Sequence, residues 1–173
     1  DLRGGNGPGI DRVFLDADVN ANPRALDAIT NADAILLGPG DLYTSVIPNL
    51  LVDEISHAIC DTQAPVIYAC NLMTKLGETA GYNSSMFAGE VVRYIGSRKL
   101  DYLLVNTESF PDEVLSGYAD EMAAPVELSN GDNEKFAHEI VLSDLAWVDG
   151  VKVRHDSETL ARIVMSTIKH PRP

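Results

Sequence analysis

Positive charge is scarce in this sequence: 13 Lys and Arg stand against 26 Asp and Glu, a formal net charge of −13 over 173 residues. A nucleic-acid backbone or an anionic membrane surface needs clustered Lys and Arg, so neither is expected as a main partner. A phosphate-bearing small molecule stays open, because main-chain amides and one or two Arg can hold its phosphates. Cysteine is equally sparse. Cys60 and Cys70 sit in apolar company without metal-ligand spacing and read as reduced core thiols of a cytoplasmic protein. No apolar run approaches the roughly 18 residues of a membrane span, and no signal peptide opens the chain. Motifs of the GxxxxGKS/T, GxGxxG and GxSxG types are missing, which removes the usual nucleotide loops and a hydrolase nucleophile elbow at Ser45 or Ser109. His57, His138 and His170 have no partners at metal-ligand spacing. What is present is 45% hydrophobic residues, enough for one medium domain with a real core.

One stretch organises the rest, NADAILLGPGDLYTSVIP, from Asn31 to Pro48. Its apolar run Ala34 to Leu37 is too short for a helix and reads as a buried strand. Gly38, Pro39 and Gly40 break the chain, Asp41 to Ser45 supply polar groups and backbone amides, and Pro48 suits the first turn of a helix. Strand, glycine-rich turn and helix start together favour an anion such as phosphate. An ordinary strand-to-helix turn needing Gly for its geometry fits the local pattern equally well.

Along the chain, Ile10 to Leu15 alternates as a strand would, and Asn22 with Pro23 starts a helix to about Thr30. From Ile47 to Cys60 apolar residues recur at helical spacing, and Pro65 introduces the buried strand VIYAC. NLMTKLGET, Asn71 to Thr79, is a polar turn before a helix from Asn83 to Ile95. Tyr102 to Val105 is a strand ending on Asn106, Pro111 to Met122 a helix, and APVEL from Ala124 a strand candidate. Short strands follow around an Asp149-Gly150 turn, and Asp156 caps a last helix, Ser157 to Ile168. The alternation predicts an α/β fold, a Rossmann-like three-layer sandwich with a mostly parallel sheet and helices on both faces. Gly38 to Ser45, Asn71 to Thr79 and Asn106 to Ser109 all follow strands, and strand ends of this kind gather on one edge where ligands bind.

The segments GPGDLYTSVIPNLLVDEI, YACNLMTKLGET, DYLLVN, YADEMAAPV and VRHD occur in one order. Together they resemble the YvcK-type (gluconeogenesis factor) branch of the CofD, or 2-phospho-L-lactate transferase, superfamily. Asp41 departs from a frequent Ser of that pattern, and Lys75-Leu76 from a common Gln-Pro. The family's opening strand and GGGTGL-type loop are not in this sequence, so the resemblance covers the C-terminal half of the family's domain, residues 10–169. Residues 1–9, DLRGGNGPG, read as a flexible lead or a break from a longer protein, and 170–173 as a tail. The resemblance implies a regulatory protein that binds a nucleotide sugar such as UDP-N-acetylglucosamine, linked to cell-wall growth, cell shape and carbon metabolism. The alternative it implies is a Mg-dependent phospholactate-type transferase with a deazaflavin acceptor. A homo-oligomer is left open.

The residues expected to touch a ligand are Gly38, Gly40, Thr44, Ser45, Asn71, Thr74, Glu78, Thr79, Asn106, Tyr118 and Arg154. Asn71 and Thr74 carry neutral hydrogen-bonding groups suited to a uracil, sugar or phosphate edge, or they cap the turn. Glu78 and Thr79 could orient a ligand hydroxyl. Tyr118 resembles the family's base-stacking aromatic, and Arg154 has the guanidinium fork that fits two phosphate oxygens. Asp41 and Asp101 are candidate carboxylates for Mg²⁺ held with a nucleotide. His155 reads as structural, because neighbours on a strand point to opposite faces and Asp156 cannot orient it. No catalytic residue is assigned.

Overall fold

The strands predicted at Ala34 to Leu37, VIYAC and Tyr102 to Val105 are apolar at successive positions rather than at alternate ones, which demands cover on both faces of a sheet. A computed structural model describes residues 9–169 and shows that cover. Strands β1 (Ile35–Leu37), β2 (Val66–Ala69), β3 (Leu100–Asn106) and β4 (Ala137–Ser143) form one sheet in the order β1-β2-β3-β4. Every pairing is parallel, with Ile35 opposite Val66, Ile67 opposite Tyr102, and Leu103 opposite Ile140.

Strand β2 is buried at each position, and its side chains alternate between two cores. Val66 and Tyr68 face α1 (Pro23–Thr30), α2 (Ile47–Leu50), α3 (Asp53–Asp61) and α4 (Ser84–Ile95), packing with Ile47, Ile59, Phe87 and Val91. Ile67 and Ala69 face α5 (Asp112–Asp120) and α6 (Ser157–Lys169), packing with Phe110, Leu145 and Leu160. Each fully buried Leu, Ile or Phe contributes about 1.5–3 kcal/mol relative to exposure. β5 (Ala146–Asp149) and β6 (Lys152–His155) form a separate antiparallel hairpin beside the second core.

Helix starts follow their caps. Asn22 Oδ1 accepts the Arg24 N–H at 3.0 Å with Pro23 next, Asn83 Oδ1 accepts the Met86 N–H at 3.1 Å, and Asp156 Oδ1 accepts the Glu158 N–H at 3.0 Å.

Three expectations are corrected. Residues 10–15 form no strand; they lie across α4, where the Val13 N–H donates to the Tyr94 hydroxyl at 3.1 Å and Arg93 donates to the Asp11 carbonyl at 3.2 Å. Only Ile10 and Val13 of this segment are half-buried against the core, and Phe14 and Leu15 are exposed. The run from Ile47 to Cys60 is two helices, because Val52 is extended (ψ 106°) and acids Asp53 and Glu54 open a new first turn. Finally, Ala124 to Leu128 makes a single bridge, Met73 opposite Pro125, instead of a strand. Pro125 has no N–H to extend a ladder. Residues 1–8 of the predicted lead 1–9, the tail at 170–173 and His170 lie outside the described residues.

Candidate functional site

Parallel strands bring their C-terminal ends to one edge, and at that edge the loops after β1 and β2 meet the hairpin strand β6. Between them lies a cleft of about 680 Å³, with Gly40, Asp41, Asn71, Thr74, Lys75, Tyr118, Glu121, Arg154 and His155 among its lining residues.

The first wall is the turn after β1. Gly38 holds a left-handed φ of +80°, and a Cβ there would meet the Ala69 carbonyl oxygen at 3.1 Å, so the turn fits against β2 only as glycine. The chain then enters a π-helical turn, Leu42–Val46, that runs into α2. The Ser45 and Val46 N–H groups both donate to the Asp41 carbonyl, at 2.9 and 3.1 Å. Leu42, Tyr43 and Thr44 open this helical run, and the first amides of any helix have no intrahelical acceptor.

The second wall, after β2, is stitched to the first. Asn71 Nδ2 donates to the Gly40 carbonyl at 3.0 Å, and Asn71 Oδ1 accepts from the buried Tyr68 hydroxyl at 3.0 Å. Further along, the Thr74 N–H donates to the Ala124 carbonyl at 2.7 Å while its hydroxyl accepts the Ala124 N–H at 2.9 Å. This pair of bonds hangs the segment after α5 on the β2 loop.

The third wall is β6. The Val153 N–H donates to the Tyr118 hydroxyl at 2.9 Å, which fixes the strand that carries Arg154. His155 Nε2–H donates to the Cys70 carbonyl at 3.0 Å. Burial lowers the His155 pKa below its usual 6.5, with the bond to Cys70 pulling the other way, so the imidazole favours its neutral form. Burial also pushes the Cys70 thiol up to about 12. Both groups are therefore neutral at ordinary pH.

The charged lining is Asp41, Lys75, Glu121 and Arg154. Lys75 Nζ pairs with Asp41 at 2.8 Å and with Glu78 at 2.8 Å, and these carboxylates raise its pKa. Arg154 is exposed and, among the described residues, has no ion-pair partner. The cleft thus presents one guanidinium and one ammonium beside two carboxylates.

A family model described as 2-phospho-L-lactate transferase CofD matches residues 3–146. The chain belongs to the CofD family. It is 34% identical over 164 residues to the gluconeogenesis factor of Bacillus subtilis, covering 94% of this chain and 52% of that protein. With the gluconeogenesis factor of Halalkalibacterium halodurans the identity is 45% over 121 residues, 69% of this chain and 38% of the other. A Bacillus halodurans crystal structure, described as a UPF0052 family member, superposes with a TM-score of 0.87 at 34% identity, covering 91% of this chain and 51% of that one. The chain thus spans about half the length of most of these relatives.

In this CofD-family cleft, five of the eleven expected residues come together: Gly40, Asn71, Thr74, Tyr118 and Arg154. Gly38 and Ser45 line a smaller neighbouring cavity of about 290 Å³, which Gly40 shares. Thr44 lines neither; its hydroxyl lies 3.4 Å from Asp41 Oδ2. Glu78 pairs with Lys75 and is not among the lining residues, and buried Thr79 accepts the Lys75 N–H on Oγ1 at 3.0 Å. Asn106 accepts the Leu145 N–H at 2.9 Å and donates to the Glu108 carbonyl at 3.0 Å, holding its own loop.

The Mg²⁺ pair does not form. Asp101 accepts the Val66 N–H at 2.8 Å and pairs with Arg98 at 2.7 Å, at the start of β3 and the opposite end of the strands. Asp41 is held by Lys75, and among the described residues no three His, Cys, Asp or Glu gather around one point. Lys75 and Glu121 line the cleft beyond the residues expected from the sequence, and His155, expected to be structural, lines it as well. The signal for Lys75 was its place in a loop that follows a strand. Nothing local marked Glu121.

Proposed function

We propose that the cleft binds the diphosphate of a nucleotide sugar of the UDP-N-acetylglucosamine kind, and that the protein acts by binding it rather than transforming it. In this reading it is a cytoplasmic regulatory protein linked to cell-wall growth, cell shape and carbon metabolism. The observation that carries the reading is Arg154, an exposed guanidinium without an ion-pair partner among the described residues, which lines the same cleft as Gly40 and Asn71. A guanidinium forks onto two phosphate oxygens, and main-chain amides that open a helical run suit an anion as well. The relatives named gluconeogenesis factor support the link to carbon metabolism. The test is calorimetric titration of UDP-N-acetylglucosamine into the whole protein. Saturable binding is expected, weakened about tenfold or more by Arg154→Ala, the loss of a charge-assisted contact. No heat and no melting shift at millimolar ligand would overturn it.

One observation favours a second reading: the matching family model is described as a phospholactate transferase. Phosphoryl transfer needs mostly positioning and charge stabilisation, so the lack of a nucleophile and base pair does not exclude it. Incubation with nucleotide-activated phospholactate and a deazaflavin acceptor decides, since product formation would replace the binding-only reading.

A further inference from the structure

Lys75 is the second cation of the cleft, and it is occupied. Its Nζ bridges Asp41 Oδ2 and Glu78 Oε1, each at 2.8 Å, and so links the loops after β1 and β2. The backbone of Lys75 is fixed. Its N–H donates to Thr79 Oγ1 at 3.0 Å, and its carbonyl accepts the Glu78 and Thr79 N–H groups at 3.2 and 2.8 Å. Rearrangement is therefore confined to the side chain.

The two carboxylates are not equivalent. Asp41 lines the cleft and is 50% exposed, whereas Glu78 is 16% exposed and not part of the lining. An ion pair as exposed as Lys75 with Asp41 is screened by water and holds weakly, so a phosphate oxygen can exchange with that carboxylate. The better-shielded Glu78 stays. An ammonium has three N–H donors and compact charge on a flexible stem, which lets it change partners without moving its backbone.

We infer that Lys75 is an anion-binding residue held in reserve by Asp41: a ligand phosphate takes the place of Asp41 on Nζ, while Glu78 keeps the ammonium at the cleft wall. This rests on the reading of the cleft as a phosphate-ligand site. Asp41 then tunes affinity by opposition. Its carboxylate repels the incoming anion and competes for its cation, so it holds down the affinity for a phosphate ligand and leaves that for an uncharged nucleoside unchanged.

The test is calorimetric titration of UDP-N-acetylglucosamine, inorganic pyrophosphate and uridine into the whole protein and into Lys75→Gln, Asp41→Asn and the double variant. Lys75→Gln is expected to weaken both phosphate probes about tenfold. Asp41→Asn is expected to tighten them about two- to fivefold. That gain should shrink in the Lys75→Gln background, and uridine should respond to neither change. The opposite signs are decisive. If both single variants weaken binding alike, the bridge only holds two loops together and the inference is overturned, as it is if Lys75→Gln changes nothing. No binding of any phosphate probe by the unaltered protein overturns the underlying reading as well, which separates the two failures.

Discussion

The Asn71 side chain joins the Gly40 carbonyl to the Tyr68 hydroxyl, donating to one at 3.0 Å and accepting from the other at 3.0 Å. A single amide thus ties the loops after neighbouring strands and satisfies a phenol with no access to water. Truncation to Asn71→Ala leaves that phenol unpaired, at a cost of about 1–3 kcal/mol. Tyr68→Phe, which removes the buried donor itself, should cost less, about 1 kcal/mol. Urea denaturation midpoints check the order of the two.

Two glycines separate conformation from contact. Gly77 has φ +76° with open space around a would-be Cβ, while at Gly38, φ +80°, the Cβ would press on the Ala69 carbonyl at 3.1 Å. Gly77→Ala should therefore cost about 1 kcal/mol, the left-handed backbone preference alone. Gly38→Ala should cost clearly more, about 2 kcal/mol or above, because backbone must shift. Thermal melts of the two variants test the difference.

His155 makes stability depend on pH in a stated direction. Its folded-state pKa is lowered by burial, so between that value and the unfolded 6.5 the unfolded chain binds more protons. The stabilisation is fully present above 6.5 and is lost as pH falls through the folded-state pKa. Denaturation midpoints from pH 8 down to pH 5 should decline, about one ionisation's worth of slope more than in His155→Gln. Identical slopes would show that other groups govern the acid side.

Arg154 and Tyr118 should divide binding from folding. Arg154 is exposed without an ion-pair partner among the described residues, so Arg154→Ala should alter stability by no more than about 0.5 kcal/mol while weakening nucleotide-sugar binding. Tyr118→Phe keeps the ring but leaves the Val153 N–H without its acceptor, costing about 1 kcal/mol. Its affinity should fall less than that of Tyr118→Ala. Calorimetry beside thermal melts reads both quantities.

Much of the fold was legible because local chemistry repeats its rules. Asn22 before Pro23 and Asp156 each read as caps from the side chain's reach to a nearby N–H, and each caps; Asn83, expected as the first residue of its helix, caps it instead. The strands around Leu37, Tyr68 and Leu103 read from apolar runs bounded by Gly, Pro and Asn. Where the reading went astray, one pattern had two physical causes. The segment Ile10 to Leu15 packs across α4 through Ile10 and Val13 alone, which is no strand, and the helical spacing through Leu51 survived a break at Val52 because both helices bury the same side against one core.

The order of residues by itself determined the turn chemistry, the strand and helix alternation, and the scarcity of cations that leaves Arg154 and Lys75 as the cleft's positive groups. Those follow from backbone sterics, side-chain reach and composition, which act within a few residues. Only the tertiary structure decided that Asn71 clasps Gly40, that Tyr118 holds the strand bearing Arg154, and that Asp101 sits at the far end of the sheet from Asp41. Such pairings join residues more than thirty positions apart. They depend on strand order and on which end of each strand a loop leaves, and sheet assembly sets both.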